Sequence, residues 1–280
     1  FSFGFMNRNE ADLIEIPLGP DNFIEPAQFD GGQPTSFPVV SYGGFGGPRE
    51  RGVFGVTVPA DYEGDVWWTL TTDGYTTRVP GRVNSPGLLL KGAYKLSLSP
   101  QAEGSMRPSI RFTRDGPEGI GVEGVRSSER LTTKVGQPVE IQFWALDRGE
   151  RELKDVNVTL WKHQGPVGAA IAFESRMDSL TLPGGGRGGP PPGAPPAAGA
   201  PAGRGGGRGR VQAPGPVNQG QPIRLPITGP NANTGRFAAT FSTPGEYVIR
   251  IRVDNFTTGD SAPGNQCCWS NGYVAVSVTQ

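Results

Sequence analysis

Between residues 246 and 253, Tyr247, Ile249, Ile251 and Val253 alternate with Val248, Arg250 and Arg252. Successive side chains on a strand point to opposite faces, so such a run puts one set toward a core and the other away from it. Residues 156–163 repeat the pattern, with Val156, Val158 and Leu160 facing in and Asn157, Thr159, Trp161 and His163 facing out. In residues 272–279 the inward set is Val274, Val276 and Val278, and Tyr273 and Ser277 face out. Further runs rich in Val, Ile, Thr, Phe and Tyr, bounded by Gly, Pro, Asn and Asp, predict strands over 11–17, 52–58, 65–72, 76–79, 94–99, 107–113, 131–135, 138–145, 169–174 and 235–241. Asp73-Gly74 between two of them is a hairpin-turn signal. Helical periodicity is nearly absent. The spacing predicts an all-β chain of β-sandwiches.

One tract breaks the pattern. Residues 183–222 hold 14 Gly and 10 Pro in 40 positions. Such a composition cannot bury enough apolar surface to offset its ordering entropy, so an ordered tract needs support from its own domain or from a neighbouring subunit. The Gly-rich, polar stretch 114–123 marks a boundary. The reading is two tandem Ig-like β-sandwich domains, 1–115 and 116–280, with the Pro/Gly-rich insertion 183–222 between the fourth and fifth strands of the second. Residues 52–59 and 235–241 can be laid over one another, as two related sandwiches would require.

The turn Ser242-Thr243-Pro244-Gly245-Glu246-Tyr247, between strands 235–241 and 246–253, resembles the last hairpin of PKD-type bacterial Ig-fold modules. Ala145-Leu146-Asp147-Arg148-Gly149 resembles the Ala-x-Asp-x-Gly of cadherin-like repeats, departing from it in having no Pro after Gly149. The ending Gln266-Cys267-Cys268-Trp269-Ser270-Asn271-Gly272-Tyr273-Val274 is similar to the C-termini of exported bacterial proteins of unknown function. These resemblances cover residues 130–280 and imply a fold and an extracytoplasmic setting. Fold alone does not imply function.

Side by side in such a sheet, three strands would carry Trp161, His163, Arg250, Arg252 and Tyr273 on one outer face. Arg stacked on aromatic rings forms cation–π contacts, and an outward aromatic patch is a candidate interface. Proline-rich chain docks on aromatic grooves because its extended helix is already ordered, so the tract is expected to lie over aromatics of this kind. Trp67 and Trp68 must face opposite ways. Val66, Trp68 and Leu70 make the core set, which leaves Trp67 outward, either buried under the N-terminal segment or in a subunit contact, or open to stack on a sugar. The apolar start Phe1–Met6, with Phe1, Phe3 and Phe5, is a candidate strand to add to a neighbour's sheet edge.

Candidate chemistry is sparse. Lys plus Arg equals Asp plus Glu at 26 each, so net charge argues for neither nucleic acid nor an anionic membrane. His163 is the single histidine, and no nucleophile elbow accompanies it. Cys267 and Cys268 are adjacent, which leaves a vicinal disulfide, a bond to another chain, or two thiols. Asp147, Asp155, Asp254 and Asp260 sit at strand ends, where carboxylates with backbone carbonyls can bind calcium. No apolar run approaches the ~20 residues of a transmembrane helix. Phe1 reads as the mature terminus of an exported chain. The expectation is therefore an exported, non-enzymatic structural protein of an extracellular or cell-surface assembly, associating with itself or with other subunits and without a cofactor. The alternative is a glycan-binding or adhesion module using Trp67 or Trp161.

Overall fold

Phe3, Phe54 and Trp68 organise the first half of the chain. The computed structural model describes residues 1–7, 9, 12–39, 50–82, 106–149, 153–177, 180–181, 211–212, 215–228, 232–255 and 269–280. In the first half the strands are β1 (Ser2–Phe5), β2 (Ile14–Glu15), β3 (Asn22–Glu25), β4 (Ser36–Phe37), β5 (Glu50–Gly55), β6 (Val66–Thr72) and β7 (Tyr75–Gly81). They pair as β1–β5, β2–β4 and β3–β6–β7, all antiparallel. These short sheets close on one aromatic core. Phe3 stacks on Phe54 at 5.1 Å, and Phe54 meets the Trp68 ring edge-on at 5.0 Å. The Trp68 indole N–H is satisfied by Asn22 Oδ1 at 3.0 Å, as a buried tryptophan requires. Between β6 and β7 the chain turns on Asp73 and Gly74, both at positive φ (51° and 77°), the backbone of a two-residue type I′ hairpin.

The second half contains β8 (Ser109–Arg111), β9 (Gly119–Ile120), β10 (Val125–Arg126), β11 (Leu131–Lys134), β12 (Val139–Leu146), β13 (Asp155–Gln164), β14 (Ile171–Ser175), β15 (Leu180–Thr181), β16 (Val211–Gln212), β17 (Pro216–Val217), β18 (Ile223–Pro226), β19 (Thr234–Phe241), β20 (Gly245–Asp254) and β21 (Trp269–Thr279). One sheet runs β17–β14–β19–β12–β8–β9. The other runs β10–β21–β20–β13–β18–β15–β16, with β11 also on β21. Their facing sides share one core, to which β13 gives Val156, Val158 and Leu160, β20 gives Tyr247, Ile249, Ile251 and Val253, and β21 gives Val274, Val276 and Val278. Those are the residues the alternation assigns inward. Among its described residues the chain is all-β; apart from the 3-10 turn Ala27–Phe29, every regular element is a strand.

Two expectations change. The boundary at 115 places residues 109–111 in the first unit, yet β8 pairs with Trp144–Leu146 and puts Ile110 into the second core. A strand belongs to the sheet that satisfies its backbone, and the 107–113 run carries no mark of which sheet that is. The segment Phe1–Phe5 is not free for a neighbour. It pairs with β5 of its own chain, Phe3 is 4% exposed, and Phe1 and Phe5 pack on the same core. Three aromatics at alternate positions are worth more in a core than at a solvent-exposed edge. The predicted strand 94–99, residues 183–210 and 213–214 of the tract, Asp260, Cys267 and Cys268 lie outside the described residues.

Candidate functional site: a buried polar interface between the two halves

The outer face of β13–β20–β21 carries the residues the alternation assigns there, and it is covered. Trp161, His163, Arg250 and Tyr273 are 6%, 2%, 2% and 3% exposed. The cover is the first half of the chain, so the expected solvent-facing patch is an internal one.

Glu50, at the start of β5, is the hub. Its Oε1 accepts hydrogen bonds from Arg250 Nη2 and Arg252 Nη1, both at 3.0 Å. Arg252 also pairs with Asp254 (Nε to Oδ2, 3.3 Å), and Asp254 accepts from Asn157 Nδ2 at 2.8 Å. Two guanidiniums thus meet two carboxylates, so the buried network is close to neutral. The guanidinium carbons of Arg250 and Arg252 stand 4.1 and 5.0 Å from the centre of the Trp161 ring. A desolvated cation over an indole gains about 2 kcal/mol. Burial lowers the Arg250 pKa from its ordinary value, and Glu50 opposes that shift.

His163 and Tyr273 stack with ring centres 5.1 Å apart. His163 Nε2 lies 3.0 Å from the carbonyl of Gly32, so this nitrogen carries the proton of a neutral ring. Burial first, then the charge of Arg250, lower the His163 pKa to about 3. Tyr273 donates to the carbonyl of Val53 at 3.0 Å, and burial raises its pKa. The Asn271 amide donates to the carbonyl of Gly52 (3.0 Å) in the first half and to that of Val122 (2.9 Å) in its own. Gln164 Nε2 reaches the carbonyls of Gly31 (3.0 Å) and Gln33 (2.7 Å). The first half therefore offers mostly main-chain carbonyls, and the second offers side-chain donors.

Lys162, which the sequence reading left out, is a further clamp. Its ammonium is 2% exposed, pairs with Glu15, and donates to the carbonyls of Ala169 (2.7 Å) and Pro166 (3.3 Å). All three of its protons are used, as a buried ammonium requires. The only sequence signal for it was a lysine on the inward parity of a core strand.

Gly52 shows how closely the halves approach. Its φ is +57°, and a Cβ there would lie 2.5 Å from the Trp269 ring. Gly52→Ala is expected to cost about 1–3 kcal/mol through both left-handed strain and overlap. Chemical denaturation checks it; an unchanged midpoint would mean the halves are not packed this way.

The remaining sequence candidates fall as follows. Trp67 faces outward, but Arg78 and Arg82 lie over its ring at 4.8 and 5.7 Å, each held by its own acid, Glu25 and Asp65. Asp147 accepts from Asn255 Nδ2 at 2.7 Å, Asp155 pairs with Arg224 at 2.6 Å, and Asp254 is engaged as above, so these carboxylates hold protein donors rather than forming one cage. Among the described residues no group of three or more His, Cys, Asp or Glu stands close enough to hold a metal. The end of the tract does meet an aromatic. Gly220 donates to the carbonyl of Leu160 at 2.9 Å, and a Cβ there would lie 3.2 Å from Trp161 Nε1. The proline-rich part 190–201 of the tract lies outside the described residues.

No family model matches the sequence, and no curated protein is similar enough to match it. The crystal structure of domains 4 and 5 of the S-layer protein SbsC aligns over 94% of this chain and 79% of that one, at 10% identity and a TM-score of 0.24. A score that low shows no common fold. No helix among the described residues is long and apolar enough to cross a membrane.

Proposed function

We propose that this protein is an exported structural subunit of an extracellular or cell-surface assembly, acting through surface contacts rather than through a reaction. One observation supports this reading above the others. The groups best suited to chemistry or ligand binding (His163, Lys162, Glu50, Arg250, Arg252 and Tyr273) bond across the two halves of the chain, and Trp161 is buried beneath the two arginines. The lone histidine is a neutral donor to a carbonyl, not a base facing a cleft. A body fixed by buried ion pairs and main-chain hydrogen bonds suits transmission of load between neighbours.

The glycan reading has less to stand on. Trp161 is buried, and a sugar stacking on Trp67 would first displace two ion-paired arginines.

Sedimentation velocity at rising protein concentration, with electron microscopy of the same samples, tests the assembly reading. Species larger than the monomer are expected to grow with concentration. A monomer at every concentration, together with turnover or glycan capture by the intact chain, would overturn it.

A further inference from the structure

β7 is a bare edge. Five of its seven residues are exposed, and among the described residues no strand pairs with the side away from β6. Tyr75 and Val79 are 78% and 42% exposed. Through their partners in β6 they lie on the core side of the sheet, so this apolar face runs past its own core.

The hairpin fixes which backbone groups are free. The two-residue turn makes Thr72 and Tyr75 a hydrogen-bonded pair, and pairs alternate from there. Tyr75, Thr77, Val79 and Gly81 therefore bond β6, while Thr76, Arg78 and Pro80 direct their backbone groups outward. Pro80 fits this assignment, since a proline is tolerated where its missing N–H would point away from the sheet.

We propose that β7 pairs antiparallel with β7 of a second copy, about a twofold axis at Thr77. The inference rests on the assembly reading above and names its contact. In this register Thr76 and Arg78 each exchange two backbone hydrogen bonds with Arg78 and Thr76 of the other copy. Tyr75 lies opposite Val79 on both sides of the axis, and aromatic against β-branched is a favourable cross-strand pair. Two three-stranded sheets become one of six. Shifting the centre to Arg78 would set Pro80 against Thr76 twice and lose two N–H donors. Shifting it to Thr76 would run the strand into the turn. The proline thus selects a register without blocking the edge. Charge does not oppose the contact. Arg78 is held by Glu25 over the Trp67 ring and faces Thr76 of the other copy, not a second arginine. Two such short edges bury less than the ~1,600 Å² of a standard interface, so the pair is weak alone and gains from repetition in an assembly.

Cysteine cross-linking tests the register. Thr77 meets its own symmetry mate in a non-hydrogen-bonded pair, with Cα atoms about 4.5 Å apart, within disulfide range. Thr76 is offset from its mate to a diagonal of ~7–8 Å, out of reach. Thr77→Cys should form a disulfide-linked dimer under mild oxidation several-fold faster than Thr76→Cys, with a 77–77 linkage found by peptide mapping. Unaltered protein controls for the native cysteines. Equal rates for the two variants, or no 77–77 linkage, overturn the proposal. If unaltered protein still forms larger species in that case, the edge is wrong and the assembly reading survives. If it stays monomeric as well, both fall.

Discussion

Glu50→Ala should destabilise the protein by about 3–5 kcal/mol, far more than the loss of a surface ion pair. The reason is what it leaves behind. Arg250 is 2% exposed and takes its ion-pair contact from Glu50, so the variant strands a guanidinium against Trp161 with no counter-charge. Arg252 suffers less, because it keeps Asp254. Two consequences separate this from a generic core defect. First, the damage should localise. Trp161 lies at the interface, whereas Trp68 lies in the first core, so interface fluorescence should change at lower denaturant than the signal of the first core. Second, adding Arg250→Met to Glu50→Ala should recover much of the loss, since replacing a whole buried pair with apolar groups is often neutral or stabilising. Urea titrations of the two single variants and the double variant make the measurement. A cost for Glu50→Ala below about 1 kcal/mol, the range of exposed pairs, would mean that Glu50 and Arg250 do not meet in a dry interface.

What the sequence made legible follows from where each contact keeps its information. Alternation is written in side chains, so the inward faces of β13, β20 and β21 could be read residue by residue, and the outward set Trp161, His163, Arg250, Arg252 and Tyr273 was placed on the correct side of its sheet. What covers that face was not legible, because the partners of His163, Tyr273 and the neighbouring Gln164 and Asn271 are largely main-chain carbonyls, those of Gly31, Gly32, Gln33, Gly52 and Val53. A carbonyl has no signature in a sequence. The only traces were glycines where backbones approach closely, Gly52 above all, and a single acid, Glu50, beside an apolar run. The N-terminal segment was misread for a related reason. Phe1, Phe3 and Phe5 alternate like any strand, and alternation does not say whose sheet the strand joins. Likewise, short strands such as β3, β9 and β18 are four residues or fewer, too brief for a period to show. The interface binds together pieces far apart in the chain; His163 to Gly32 spans 131 residues and Tyr273 to Val53 spans 220. Local pattern cannot carry such contacts.

Acid should loosen the same interface, and His163 sets the window. In the unfolded chain a histidine titrates near its reference value of about 6.5. In the folded protein the ring resists protonation until about pH 3, because burial and the neighbouring Arg250 and Arg126 oppose a third cation there, with the Gly32 carbonyl only partly compensating. Between those two values the unfolded chain binds the extra proton, so stability rises with pH across the window. The contribution is complete above about pH 6.5 and is lost as the pH falls toward 3. The slope for one proton is about 1.4 kcal/mol per pH unit, which amounts to about 3 kcal/mol by pH 4.5. The groups around the ring sharpen this dependence. Tyr273 stacks on it and stays neutral with a raised pKa, Arg126 lies 5.0 Å over the other ring, Glu50 is committed to the two arginines and Glu123 acts on Tyr273, so among the described residues no carboxylate is bonded to the ring to accept the new charge. His163→Gln keeps a donor for the Gly32 carbonyl and removes the titration. Urea midpoints measured from pH 7 to 4.5 should fall steeply for the unaltered protein and much less for the variant. Equal slopes would mean the ring is solvated, and with it the face of the sheet that the first half is held to cover.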